Sequence, residues 1–170
     1  MPFKFNKELW EYGRKIEDEV LPIANELFDC DFKRNDNDIY DILDFKDENK
    51  KVIVEVKGRK IPHDKYTDTI ITASKVTEGY HQIDQGYKVY FIFVFTDKIY
   101  WYELKEDAEF DCRFTGTNCI KHYMIPVSNL TEIDQADSPT ASTSTDSSNC
   151  GNENDNDEGS GSGSGSGSAS

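Results

Sequence analysis

No stretch of this chain approaches the ~20 consecutive apolar residues that a membrane-spanning helix needs. The opening segment MPFKFNKELWEYGRK lacks the apolar run of a secretory signal, so none is expected. Cysteine is sparse: Cys30, Cys112, Cys119 and Cys150 stand in no disulfide framework. These absences fit an intracellular protein, cytoplasmic or nuclear, with reduced thiols and no membrane partner. Cys112, Cys119 and His122 match no zinc spacing and lack a fourth ligand, so ordinary hairpin cysteines are expected there.

Basic excess is also missing. The 170 residues carry a formal net charge of −14. All 19 Lys and Arg lie in residues 1–130, which leaves that part near −6 and the remainder near −8. This argues against tight non-specific phosphate binding by the whole surface, but a local basic patch is enough for a DNA site.

From Thr131 large apolar residues almost disappear. The chain becomes Ser, Thr, Asp, Asn and Gly and ends in GSGSGSGSAS. Such a segment cannot bury enough surface to offset its ordering entropy. The expectation is one folded domain over 1–130, followed by a disordered acidic tail over 131–170.

Within 1–130 the periodicities are readable. Residues 7–28 keep helical spacing through Leu9, Tyr12, Ile16, Val20, Ile23, Ala24 and Leu27, with Pro22 expected to kink or split the helix. DFKRNDNDIYDILDF predicts one or two strands, KKVIVEVKGRKI a clear one, and TDTIITASKV (67–76) a further strand or strand end. TEGYHQIDQG (77–86) predicts a short helix closed by Gly86. YKVYFIFVF (87–95) reads as a strand buried on both faces, paired with KIYWYEL (98–104); HYMIPV is a candidate last strand. The order is that of a mixed α/β domain with helices packed on a central sheet.

The stretch VIVEVKGRK (52–60) does not fit a purely structural strand. Side chains alternate, so Glu55 and Lys57 share one face, and such groups are rarely buried unless paired. A hairpin with a three-residue loop Asp47-Glu48-Asn49 would set Asp41 opposite Glu55. Asp41, Glu55 and Lys57 would then converge. Asp44 is the rival to Asp41: it needs a different loop or a bulge to reach Glu55. Two opposed carboxylates repel unless a cation lies between them. Mg²⁺, with Mn²⁺ as substitute, suits such oxygen ligands and is often shared with substrate phosphate. Lys57 could orient the attacking water and stabilise charge on the phosphate. The plain alternative is a surface ion pair at a sheet edge, stabilising by only ~0–1 kcal/mol.

Asp41 followed by Glu55-Val56-Lys57 on a hairpin resembles the PD-(D/E)XK nuclease superfamily, in its restriction-endonuclease-like and resolvase-like branches. Gly13-Arg14-Lys15-Ile16-Glu17 resembles the Gly-x-x-x-Glu of that family's preceding helix, and the element order resembles its αβββαβ core. The resemblance spans about residues 10–105. Tyr40 stands where the pattern's name has proline. It implies a metal-dependent DNA endonuclease, with structured or branched DNA as substrate and a homodimer where two strands are cut. It also implies Asp41 and Glu55 as metal ligands, Lys57 as catalytic base or positioner and Glu17 as auxiliary carboxylate. Lys75 or Gln82, in the following helix region, would meet phosphate. Arg59 and Lys60, just past the motif, read from the sequence as a basic lip for the DNA backbone. His63, in the loop IPHDKY, could shuttle a proton near neutral pH. A catalytically silent nucleic-acid- or protein-binding module on the same fold is the alternative function.

Overall fold

Asn6 opens the first helix by accepting a hydrogen bond from Leu9 N at 3.2 Å. The helix α1 (Lys7–Phe28) buries Ile16, Val20 and Ala24 along one stripe and ends at Asp29, whose φ of 51° is left-handed. It continues through Pro22 without splitting. Pro22 and Asp18, whose carbonyl loses its helical donor, are both on the exposed side, so that carbonyl can turn to water.

The computed structural model describes residues 6–34 and 43–134. After α1 come β1 (Lys33–Arg34), β2 (Phe45–Asp47), β3 (Val52–Gly58), β4 (Asp68–Thr72), α2 (Ala73–Asp84), β5 (Lys88–Val94), β6 (Ile99–Leu104), β7 (Asp111–Thr115), β8 (Ile120–Pro126) and β9 (Thr131–Ile133). One mixed sheet has the order β1-β2-β3-β5-β6-β9; a smaller antiparallel sheet has the order β4-β8-β7. In the large sheet only β3 and β5 pair in parallel, Glu55 beside Phe91 and Lys57 beside Phe93. Parallel neighbours need a crossover, and α2 supplies it.

Both faces of the large sheet are covered. Val52, Val54, Val56, Tyr90 and Ile92 pack with Ile16, Val20 and Ala24 of α1. Ile53, Val89, Phe91 and Phe93 pack on the other side with Val76 of α2 and with Ile71 and Ile125 of the small sheet. This explains why YKVYFIFVF is apolar throughout rather than alternating.

Several expectations are corrected. β4 leaves the large sheet and pairs with β8. The second helix starts at Ala73, not 77, with Val76 and Gly79 buried on it; the expected strand holds over Asp68–Thr72, and residues 73–76 turn into α2 instead. Residues 131–133, assigned above to the tail, form β9 on the edge of β6, with Ile133 buried. The folded part therefore reaches past 130.

The hairpin between β2 and β3 also differs. Phe45 pairs with Val54 and Asp47 with Val52, leaving a four-residue turn rather than three. Asp47 is no loop residue: its Oδ1 accepts from Asn49 N at 2.9 Å and Lys50 N at 3.0 Å, and its Oδ2 from Asp31 N at 2.8 Å. Lys51 closes the turn at φ 57°. The register moves by an odd number of residues, which exchanges the faces of the first strand.

Gly79 is the closest approach of α2 to the sheet. A Cβ there would meet Leu104 Cδ2 at 2.6 Å and Val89 Cγ1 at 3.4 Å. Both partners are buried and cannot swing away. Gly79→Ala gains up to about 1 kcal/mol of helix propensity but overpacks the core at about 1–3 kcal/mol. A net loss of stability is expected, read as a lower urea midpoint at unchanged slope.

Candidate active site

Glu55 sits in the middle of β3, flanked by β2 and β5, with its side chain fully buried at 0% exposure. Alternation turns it, with Ile53 and Lys57, toward the α2 side. Lys57 Nζ lies 2.6 Å from Glu55 Oε1, and Lys75 Nζ, from the first turn of α2, donates to Oε2 at 2.9 Å. The Lys57 contact has ion-pair distance but not hydrogen-bond alignment, which leaves Oε1 with unused acceptor capacity. A fully buried carboxylate is thus clasped by two ammonium groups from separate elements.

The hairpin register brings Asp44 to this point. It directly precedes β2, and continuing the pairing sets it opposite Glu55. Its Oδ2 accepts from Val56 N at 2.8 Å, taking a backbone donor that a longer β2 would otherwise pair. Its charge acts on Glu55, Lys57 and Glu17 alike. Asp41, expected at this position, lies outside the described residues.

Burial pushes the Glu55 carboxyl up to about 7; Lys57 and Lys75 oppose the rise and Asp44 adds to it. Burial also works against the charge of Lys57, but the Glu55 carboxylate more than offsets it, and the Lys57 pKa rises. Glu17, one turn before Val20 on α1, is raised by burial first and by Asp44 second. Arg14 at 3.4 Å and Arg34 at 3.5 Å hold its Oε2, and Arg34 also binds Asp18 at 2.7 Å. Glu55 and Asp44 therefore both act on Lys57, and Asp44 acts on Glu17 as well. Asp44 and Glu55 carry hard oxygen donors of the kind a divalent cation takes, but with Glu17 they do not close into a three-acid cluster; among the described residues His63, Asp64 and Asp97 do.

The remaining candidates fall elsewhere. Arg59 is engaged inside the protein: Nε donates to Thr69 Oγ1 at 3.2 Å, one Nη donates to the Ile70 carbonyl, and the guanidinium lies over Phe93. Burial lowers its pKa. It ties the end of β3 to β4 and does not form a free basic lip. Lys60 is exposed, its Nζ over the Tyr12 ring at 4.5 Å. Gln82 lies two turns beyond Lys75 and donates to Glu78 at 2.8 Å. A contact that sequence reasoning did not anticipate is His63 with Asp97: Nδ1 lies 2.6 Å from Oδ2, and Asp97 also accepts from His63 N at 2.9 Å. Asp64 completes a group whose ligand atoms lie within 4.8 Å of one another. Only the turn Thr96-Asp97 between two strands hinted at it. His122 Nδ1 lies 3.1 Å from the Thr115 hydroxyl across the β7–β8 hairpin.

Comparison of the chain with protein-family models, with curated proteins and with solved structures gave no match.

The raised Glu55 pKa has a signed consequence. Its folded value of about 7 exceeds the ordinary 4.5, so the folded state holds the proton more tightly between them. The stability this gives is full below the unfolded pKa and is lost as pH rises through about 7. The unfolding free energy of the metal-free protein, from urea titrations, should fall between pH 5 and 8 by on the order of 2 kcal/mol. Glu55→Gln should flatten that slope; an unchanged slope would show that Glu55 is ionised throughout.

Proposed function

We propose that this chain is a divalent-metal-dependent nuclease of the PD-(D/E)XK type, hydrolysing DNA phosphodiester bonds. The observation that carries the reading is a fully buried Glu55 paired with Lys57 on one strand, with Asp44 brought opposite by the hairpin. A buried carboxylate with two lysines costs several kcal/mol to desolvate, and apolar residues of similar size commonly serve stability as well or better. Perturbed, clustered acids and bases are the mark of a functional site. The large sheet takes β1, β2, β3 and β5 with α1 and α2 on its two faces, which supports a restriction-endonuclease-like core, while β4, between β3 and α2, pairs in the small sheet and departs from it.

In this reading Asp44 and Glu55 would hold the cation and Glu17 would add negative charge at its edge. Mg²⁺ would supply charge for the scissile phosphate and lower the pKa of a water. Lys57 keeps that water in line and stabilises charge on the phosphate oxygens. Lys75 balances the buried Glu55 charge when Lys57 turns to the substrate. Glu55 must give up its proton to bind the cation, so Mg²⁺ affinity should rise from pH 6 to 8 in calorimetric titrations. That rise should vanish in Glu55→Gln.

Cleavage of labelled linear duplex, single strand and four-way junction with Mg²⁺ or Mn²⁺ tests the activity. Lys57→Ala and Asp44→Asn should each lower the rate about a hundredfold or more. Asp41→Asn decides between the two aspartates: a loss as large as that of Asp44→Asn would return the ligand role to Asp41. Folded wild-type protein that cuts none of these substrates would favour a silent binding module.

A further inference from the structure

Beyond Lys57 the chain builds a cavity of about 530 Å³ that the nuclease chemistry does not use. It lies between the end of β3, the loop to β4 and β4 itself. Its wall includes Arg59, Tyr66, Asp68, Thr69, Phe95 and Arg113. A duplex is far too large for this volume, while a single small organic ligand is of the right size. The chemistry of the wall is mixed in a specific way. Arg113 is exposed on β7 and Arg59 is fixed by Thr69 and Ile70 on two of its nitrogens. Tyr66 offers a ring that is 58% exposed, with Lys65 Nζ over it at 5.6 Å. Asp68 adds one carboxylate acceptor among these cations.

A guanidinium for a phosphate, an exposed ring for a π-face and a carboxylate for an exocyclic amino group are the three features of a nucleotide. A bare anion would not use the ring, and an acidic peptide would meet Asp68. Arg59 follows Lys57 by two residues where β3 ends, so the cavity adjoins the proposed cutting site.

We propose that this cavity holds one unpaired nucleotide of the substrate strand, its base on Tyr66 and its phosphate on Arg113. This rests on the nuclease reading and narrows its substrate to DNA with an unpaired nucleotide beside the scissile bond. Paired DNA keeps its bases stacked and cannot fill the pocket without paying to extrude one.

The test is equilibrium binding in EDTA, where no cleavage occurs. Fluorescence anisotropy would compare a labelled duplex bearing a single-nucleotide overhang with the blunt duplex of the same sequence. The overhang should bind about five- to a hundredfold more tightly, and Tyr66→Ala or Arg113→Ala, both at exposed positions, should remove the difference. Equal binding of the two duplexes, or a preference that survives both substitutions, would overturn the assignment. Lys57→Ala should keep the preference. Overhang preference in a protein that cuts nothing with Mg²⁺ would leave this pocket standing and remove the nuclease reading alone.

Discussion

The fully buried carboxyl group of Glu55 is the constraint around which the domain is arranged. A carboxylate with no exposure is tolerated only with opposite charge and hydrogen bonds at hand. Lys57 supplies one charge from the same strand and Lys75 another from α2. The pairing therefore ties the central strand to the crossover helix. It also explains why α2 begins where it does: its first turn must bring Lys75 over β3 while Val76 enters the core.

The apolar framework makes that charge affordable. β3 and β5 are covered on both faces, by α1 on one side and by α2 with the small sheet on the other. Water is excluded from the middle of β3, which is why burial outweighs two neighbouring ammonium groups in setting the Glu55 pKa. The same exclusion would strengthen the hold on a cation and on a phosphate. Where β3 leaves the core the character changes: Gly58 lies under Tyr12 and Ile16, and Arg59 turns back to bind β4. The transition from dry core to open cavity takes place over three residues, Lys57 to Arg59.

Net charge and local charge point in different directions, and the fold reconciles them. The chain is strongly acidic as a whole, yet Lys57, Lys75, Arg59 and Arg113 gather along one side of the strand end and its neighbours. Many of the acids are surface partners, such as Glu11 with Lys7 and Glu19 with Lys15 on α1. For the proposed DNA substrate, acids far from the site would lower long-range attraction without removing a local binding surface, because salt screens them beyond about 8–10 Å.

Local periodicity alone determined α1, β3, β5 and β6, and the alternation that puts Glu55 and Lys57 on one face. Those features depend on the chain's nearest neighbours and on apolar patterning, which are written in order along it. What lay opposite Glu55 was decided in three dimensions. The Asp47 side chain binds Asn49 N, Lys50 N and the distant Asp31 N, and so fixes a four-residue turn; the odd shift brings Asp44 opposite Glu55. Lys75 on Glu55, Arg59 against Thr69 and Ile70, and β9 against β6 are likewise long-range. No spacing rule reaches them, because each is set by how separate elements pack and by which polar groups that packing leaves in need of a partner.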